Sequence, residues 1–452
     1  MGASNNELRN VVQTGVAFLF LLFAFNSQAV IEPSLIKAAS NRGGISSNAG
    51  YVSLGIVYLM FSLGNFIAVP IIERTGAKLA MTIGGICYVV FIVGFLFLNE
   101  IYLYFSSAVV GFGAAILWTG QGNYLTMIST GENARRNSGI LWAIFQSSIW
   151  MGGIFLLGIF TFVDSGQEIA QSSIRPLYSV FTAANIIGVV ILAFLPKPVQ
   201  DIPRAKTSTT KTLLSTFELL RTKKMLYLVL AFGFTGLETS MWQGVFPTSV
   251  AFTTRLGSNT NALIAIGAIN IGLGQLIGGF VFGILGQHIA RFGRHNIVLT
   301  GMVLHLFTFA LIFVNFPSGV SLAASDEKGL IEPSVVLAML CGFLLGLCDS
   351  IWNTQLYAFL VDNFKTQSSQ AFALFRACQA FCAFAAFFYG TVTTLHGHLI
   401  ILSITAVLGA IGFYSSEMIV AQERKSSSAL EELDPETKSY VYRVDLDNTT
   451  SA

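Results

Sequence analysis

Three ionisable residues of this 452-residue chain stand inside long apolar runs: Glu238, Asp349 and Arg376. An ionisable group at the centre of a bilayer costs roughly 2.5–3.5 kcal/mol on insertion scales, so such groups face a protein interior, pair with one another or line water. Counting about 1.5 Å per helical residue from the basic end of each run puts Glu238 and Asp349 about 18–20 Å deep and Arg376 about 12 Å deep. Two acids against one base leave a surplus acid in any pairing. A surplus buried carboxyl is suited to carry a proton or to hold a cationic solute. The residues alone leave three readings open: a coupling cluster on a central cavity; a charge pair of Arg376 with Asp349 or Glu238 that holds the second half together; or, for Arg376, a side chain reaching back to the headgroups.

Polar and aromatic side chains recur around these sites at helical spacing. Asp349, Trp352, Asn353 and Leu356 share one face of a helix, and Trp118 shares another with Gln121. Glu238 and Trp242 are four residues apart, with Gln243 beside them, and so are Trp142 and Gln146. Each Gln or Asn, taken singly, is also explained by an interhelical hydrogen bond of about 0.6 kcal/mol. A Trp beside an acid either packs or holds an organic cation by cation–π attraction. His305, alone in an apolar run, reads as a packing residue. The five cysteines, Cys87, Cys341, Cys348, Cys378 and Cys382, fit no zinc or redox spacing and read as reduced, buried thiols. No Walker loop, nucleophile elbow, metal-ligating set or voltage-sensing arginine row is evident, so neither an enzyme nor a cofactor is expected.

The elements that must position these residues follow from composition. Hydrophobic residues make up 54% of the chain and charged residues 11%, against roughly 25% charged in a soluble domain. So few charges cannot cover a water-soluble fold of this length, and a net charge of +2 gives no sign of nucleic-acid binding. Twelve runs are long enough to cross a bilayer: 11–31, 50–72, 79–98, 101–128, 138–162, 176–196, 225–252, 262–286, 296–316, 333–361, 368–394 and 396–420. The expected fold is an all-α membrane protein of two six-helix bundles, 1–196 and 225–420. A polar cytoplasmic linker, 197–224, joins them, and a charged tail, 421–452, without apolar periodicity follows. With the N-terminus inside, nineteen lysines and arginines fall on the inner side and only Lys37, Arg42, Arg175, Arg255 and Lys328 on the outer. Both termini are therefore expected to be cytoplasmic. The first half shows no charged residue within its six runs.

The two halves carry matching signals. Glu73, Arg74, Gly76 and Lys78 follow the second run; Arg291, Gly293 and Arg294 follow the eighth. Gly111-Phe112 in the fourth run matches Gly342-Phe343 in the tenth. These loops resemble the conserved loop of the major facilitator superfamily, although Val69 and Ala290 replace its leading glycine and its acid. Longer strings narrow the resemblance: Ile116 to Asn123, Arg136 to Ile140, Thr235 to Glu238, Gly346 to Ser350 and Asn353 to Leu356. They are similar to the Unc-ninety-three-like branch, the ion channel regulatory proteins, over residues 8 to 420. The resemblance implies a presumed secondary transporter of a small solute working by alternating access, or a non-transporting partner of a potassium channel or a membrane receptor. It also implies a cavity lined by helices 1, 4, 7 and 10, with Trp118, Gln121, Glu238, Trp242, Asp349 and Asn353 on its wall and Arg376 tuning the acids. Glu73, Arg74, Gly76, Arg291, Gly293 and Arg294 would form a conformational latch on the inner face.

Overall fold

Within a bilayer the backbone must satisfy its own hydrogen bonds, and long apolar runs therefore become helices. The computed structural model describes residues 2–41, 43–129, 134–162, 171–196, 209–257, 259–284, 293–364 and 367–431. The first half contributes α1 (Gly2–Asn41), α2 (Ala49–Thr75), α3 (Ala77–Gly94), α4 (Glu100–Ile128), α5 (Ala134–Phe162) and α6 (Gln171–Ala193). A short helix, α7 (Thr209–Leu220), lies in the linker. The second half contributes α8 (Lys223–Phe252), α9 (Thr260–Ile284), α10 (Arg294–Asn315), α11 (Val335–Asn363), α12 (Ser368–Tyr389) and α13 (Leu395–Glu431). All but α7 are long and apolar enough to cross a membrane, so the chain is a multi-pass membrane protein. Local chemistry marks helix starts: Asn99 accepts the Tyr102 amide at the head of α4, and Ser334 accepts the Leu337 amide at the head of α11.

The packing repeats between halves. In the first, α1 packs on α5 and α6, α4 on α2 and α3, and α3 on α6. In the second, α8 packs on α12 and α13, α11 on α9 and α10, and α10 on α13. The seams between halves, α2 with α12 and α5 with α9, exchange under the same two-fold relation. Close approach at the repeated seams requires glycine. A Cβ on Gly111 of α4 would lie 2.2 Å from the Val57 carbonyl oxygen of α2, and one on Gly346 of α11 would lie 2.0 Å from the Ile271 oxygen of α9. The matching loops agree in backbone: Gly76 (φ 84°, ψ 152°) and Gly293 (φ 77°, ψ 139°) share one left-handed conformation that other residues rarely adopt.

Several expectations need correction. The apolar run of the first span ends at Ile31, but α1 continues to Asn41 and carries a wholly buried acid, Glu32. The first half is therefore not free of intramembrane charge. Within the segment read as a linker, 197–224, the structure adds the short helix α7, whose Phe217 stacks on Phe66 of α2 with ring centroids 5.7 Å apart; this does not bear on the linker reading. The last helix runs into the tail: α13 extends to Glu431, Glu423 pairs with Lys224 at 3.1 Å, and Arg424 donates to Asn363 at 2.8 Å. Residues 432–452 lie outside the described residues.

Of the latch residues, Arg291 and the Glu73 side chain also lie outside the described residues. Arg74 is exposed in the last turn of α2. Arg294 pairs with Asp362 at the end of α11, so this contact joins two helices of one half.

Candidate functional site

Both midplane acids sit near the centre of their helices, about 20 Å from either end. Asp349 reaches the wall of a central cavity of about 120 Å³ between the two halves. Its carboxylate accepts from Gln275 Nε2 of α9 at 3.1 Å and from Asn353 Nδ2, one turn along α11, at 2.8 Å. Glu238 does not line the cavity. It stands one layer behind, faces Asp349, and has its Oε1 3.6 Å from His305 Nε2 of α10. Glu238 is 1% exposed and His305 0%. His305 packs as expected, stacked on Phe309 with ring centroids 5.3 Å apart and edge-on to Phe234 at 5.1 Å, and in that place it also stands beside a buried acid.

Arg376 on α12 faces the cavity from another side. Its guanidinium donates to Gln379 Oε1 at 2.6 Å and to the Tyr357 hydroxyl, and it lies 4.9 Å from the centroid of the Trp118 ring. Among the described residues no acid lies within ion-pair distance of Arg376. The direct pairing with Asp349 or Glu238, one of the three readings of the sequence, is therefore absent. So is the alternative of reaching back to the headgroups, because the side chain is committed to the cavity. Arg376 and Asp349 consequently share the wall without a direct ion pair between them.

Among the other expected wall residues, Trp118, Trp242 and Asn353 line the cavity, and Gln121 is buried outside it. Trp352 turns away from Asp349 and packs on Phe234, centroids 4.7 Å apart. The wall is broader than helices 1, 4, 7 and 10, since Tyr58 of α2, Gln146 of α5, Gln275 of α9 and Arg376 of α12 also belong to it. Trp242 and Gln243 are presented by a π-turn, Met241–Val245, within α8. Such turns re-aim side chains inside a helix and recur at functional sites.

Contacts across the halves flank the cavity on both sides. Toward the side of the chain termini, Trp142 of α5 meets Tyr357 of α11 edge to face at 5.0 Å, beside Arg376 over Trp118. Toward the opposite side, Tyr58 donates to Gln243 and stacks on Phe387 of α12, centroids 5.4 Å apart. Reasoning from the sequence missed Tyr58 and Gln275, and it named His305 without its place beside Glu238. Their signal was available as polar groups in apolar runs, but their partners lie on other helices. The five cysteines are free thiols, two buried and three half-buried.

With this geometry in place, comparison with known proteins narrows the class. The family model described as "Ion channel regulatory protein UNC-93" matches residues 41–414. The UNC93-like protein MFSD11 of Xenopus laevis is 32% identical over 93% of this chain and 98% of its own length. Protein unc-93 homolog A of Homo sapiens is 25% identical over 88% and 90%. Among solved structures, the major facilitator superfamily transporter FucP in its outward conformation superposes with a TM-score of 0.64 at 12% identity, covering 91% of this chain and 99% of that one. A peptide transporter, POT, superposes with a TM-score of 0.65 at 11% identity, covering 90% and 94%. At these identities the structural likeness establishes the fold alone.

Proposed function

This chain belongs to the UNC-93 family of ion channel regulatory proteins, built on the major facilitator fold, and we propose that it is a secondary transporter of a small solute. The observation that carries the reading is the central cavity. It lies between two similar halves and is walled by Asp349 and Arg376, which are not ion-paired with each other. In this mechanism the halves rock about the α2–α12 and α5–α9 seams and open the cavity to each side in turn. Asp349 holds a proton or the cationic part of the solute, and Arg376 with Trp118 receives an anionic or aromatic part. Glu238 and His305 take up the charge change from behind the wall. Both termini are placed in the cytoplasm, on the excess of lysine and arginine on that side. The halves 1–196 and 225–420 act as the two moving bodies.

The test is pH-dependent uptake of a broad solute panel into proteoliposomes, for the wild type and for Asp349→Asn. Flux that follows a pH gradient in the wild type and is lost in Asp349→Asn is expected. No flux in the wild type for any solute contradicts transport. The family description favours a second reading, in which the protein is a non-transporting partner of a channel or receptor. Co-purification with a channel whose gating it changes, together with absence of flux, would establish that reading instead.

A further inference from the structure

Outside the cavity, the first half holds its own buried acid. Glu32 is 0% exposed near the end of α1 opposite the chain termini. Its Oε2 accepts from Gln28 Nε2 at 2.6 Å, one turn back on the same helix. The Ser53 hydroxyl of α2 faces the carboxyl, and the Tyr178 phenol of α6 faces the Gln28 amide. Ser53 in turn shares a 2.8 Å hydrogen bond with Ser107 of α4. Four helices thus converge on one point. Glu32 Oε1, Gln28 Oε1 and Tyr178 Oη are all buried and have no hydrogen-bond partner. The groups facing Glu32 are neutral, and among the described residues no basic side chain lies within ion-pair distance of it.

We propose that Glu32, Gln28, Ser53 and Tyr178 form a binding site for one exchangeable monovalent cation, a proton or a sodium ion. A carboxylate cannot remain isolated in an apolar interior, so a single positive charge must accompany it. A divalent ion would leave one positive charge uncompensated. The available ligands are a carboxylate, an amide carbonyl, a hydroxyl and a phenol, all hard oxygen donors that suit an alkali cation or a proton and not a soft metal. Because the ligands come from α1, α2 and α6, the bound cation joins three helices of the first half. Its release would loosen that half near the surface opposite the termini. The site is separate from the cavity and does not depend on how the cavity is used.

The experiment measures thermal unfolding of the purified full chain in detergent, with sodium titrated against choline at constant ionic strength, for the wild type and for Glu32→Gln. A saturable rise in melting temperature with sodium, lost in Glu32→Gln, identifies sodium as the ligand. For the proton, infrared spectra of the same samples are compared as pH is raised. A protonated-carboxyl band that is missing from Glu32→Gln and titrates away while the protein stays folded identifies an exchangeable proton. A wild type that shows no sodium response and keeps its band wherever it is folded overturns the proposal, because Glu32 is then a fixed hydrogen-bond donor. If Glu32→Gln fails to fold, Ser53→Ala and Tyr178→Phe preserve the charge and remove a ligand oxygen. Each should raise the half-saturating sodium concentration, or shift the midpoint of the band, by roughly tenfold in ligand concentration. No change in either variant also overturns the proposal.

Discussion

At the scale of the residue, Asp349 is held on the wall by two donors from two helices, while Glu238 stands behind it between Asp349 and His305. Truncating His305→Ala leaves Glu238 buried beside a void, and it is expected to cost about 1–3 kcal/mol in chemical unfolding. A variant as stable as the wild type would show that the two side chains do not depend on each other. Arg376→Lys keeps the positive charge but loses the forked donation to Gln379 and Tyr357 and the stacking over Trp118. The expected outcome is normal expression with solute flux at least about tenfold lower. The midplane acids and Arg376 were legible in the sequence because charge in an apolar run is conspicuous. The partners were not, because His305 is 67 residues from Glu238 and meets it only in the folded second half, where α10 packs on α11 and α13. Glu32 was hidden differently: it sits one residue past the point where hydropathy ends the run, on a helix that does not stop there.

At the scale of the element, all twelve spans were legible, since a helix is the only economical way for such a run to cross lipid. Their ends were less so. Both α1 and α13 outrun their apolar stretches, and α13 is extended by contacts, such as Lys224 with Glu423, that only the folded chain brings together. The repeated Gly111 and Gly346 seams make a local prediction. Gly346→Ala drives a methyl into the Ile271 carbonyl and is expected to cost about 1–3 kcal/mol. Gly267→Ala on α9 meets nothing within 4 Å and should be neutral. Thermal melts of the two variants in detergent check this. Equal stabilities would contradict the close contact of α9 and α11.

At the scale of the whole molecule, the two-fold relation of the halves was only partly legible. Two short motif matches pointed to it, but the helix pairings and the exchanged seams are products of packing. A Ser62→Cys/Ala377→Cys pair spans the α2–α12 seam, where Ser62 Oγ donates to the Ala377 carbonyl at 2.8 Å. Oxidising it should stop solute flux, and reduction should restore flux, if the halves move about that seam. The central claim is that the cavity opens to both sides of the membrane. It is tested most directly by a cysteine at Ala114, on the cavity wall, in a background with the five native cysteines replaced. A membrane-impermeant thiol reagent is added to one side of intact vesicles and then, in a separate sample, to the other. The account predicts labelling from either side; labelling from one side only, or from neither, would contradict it.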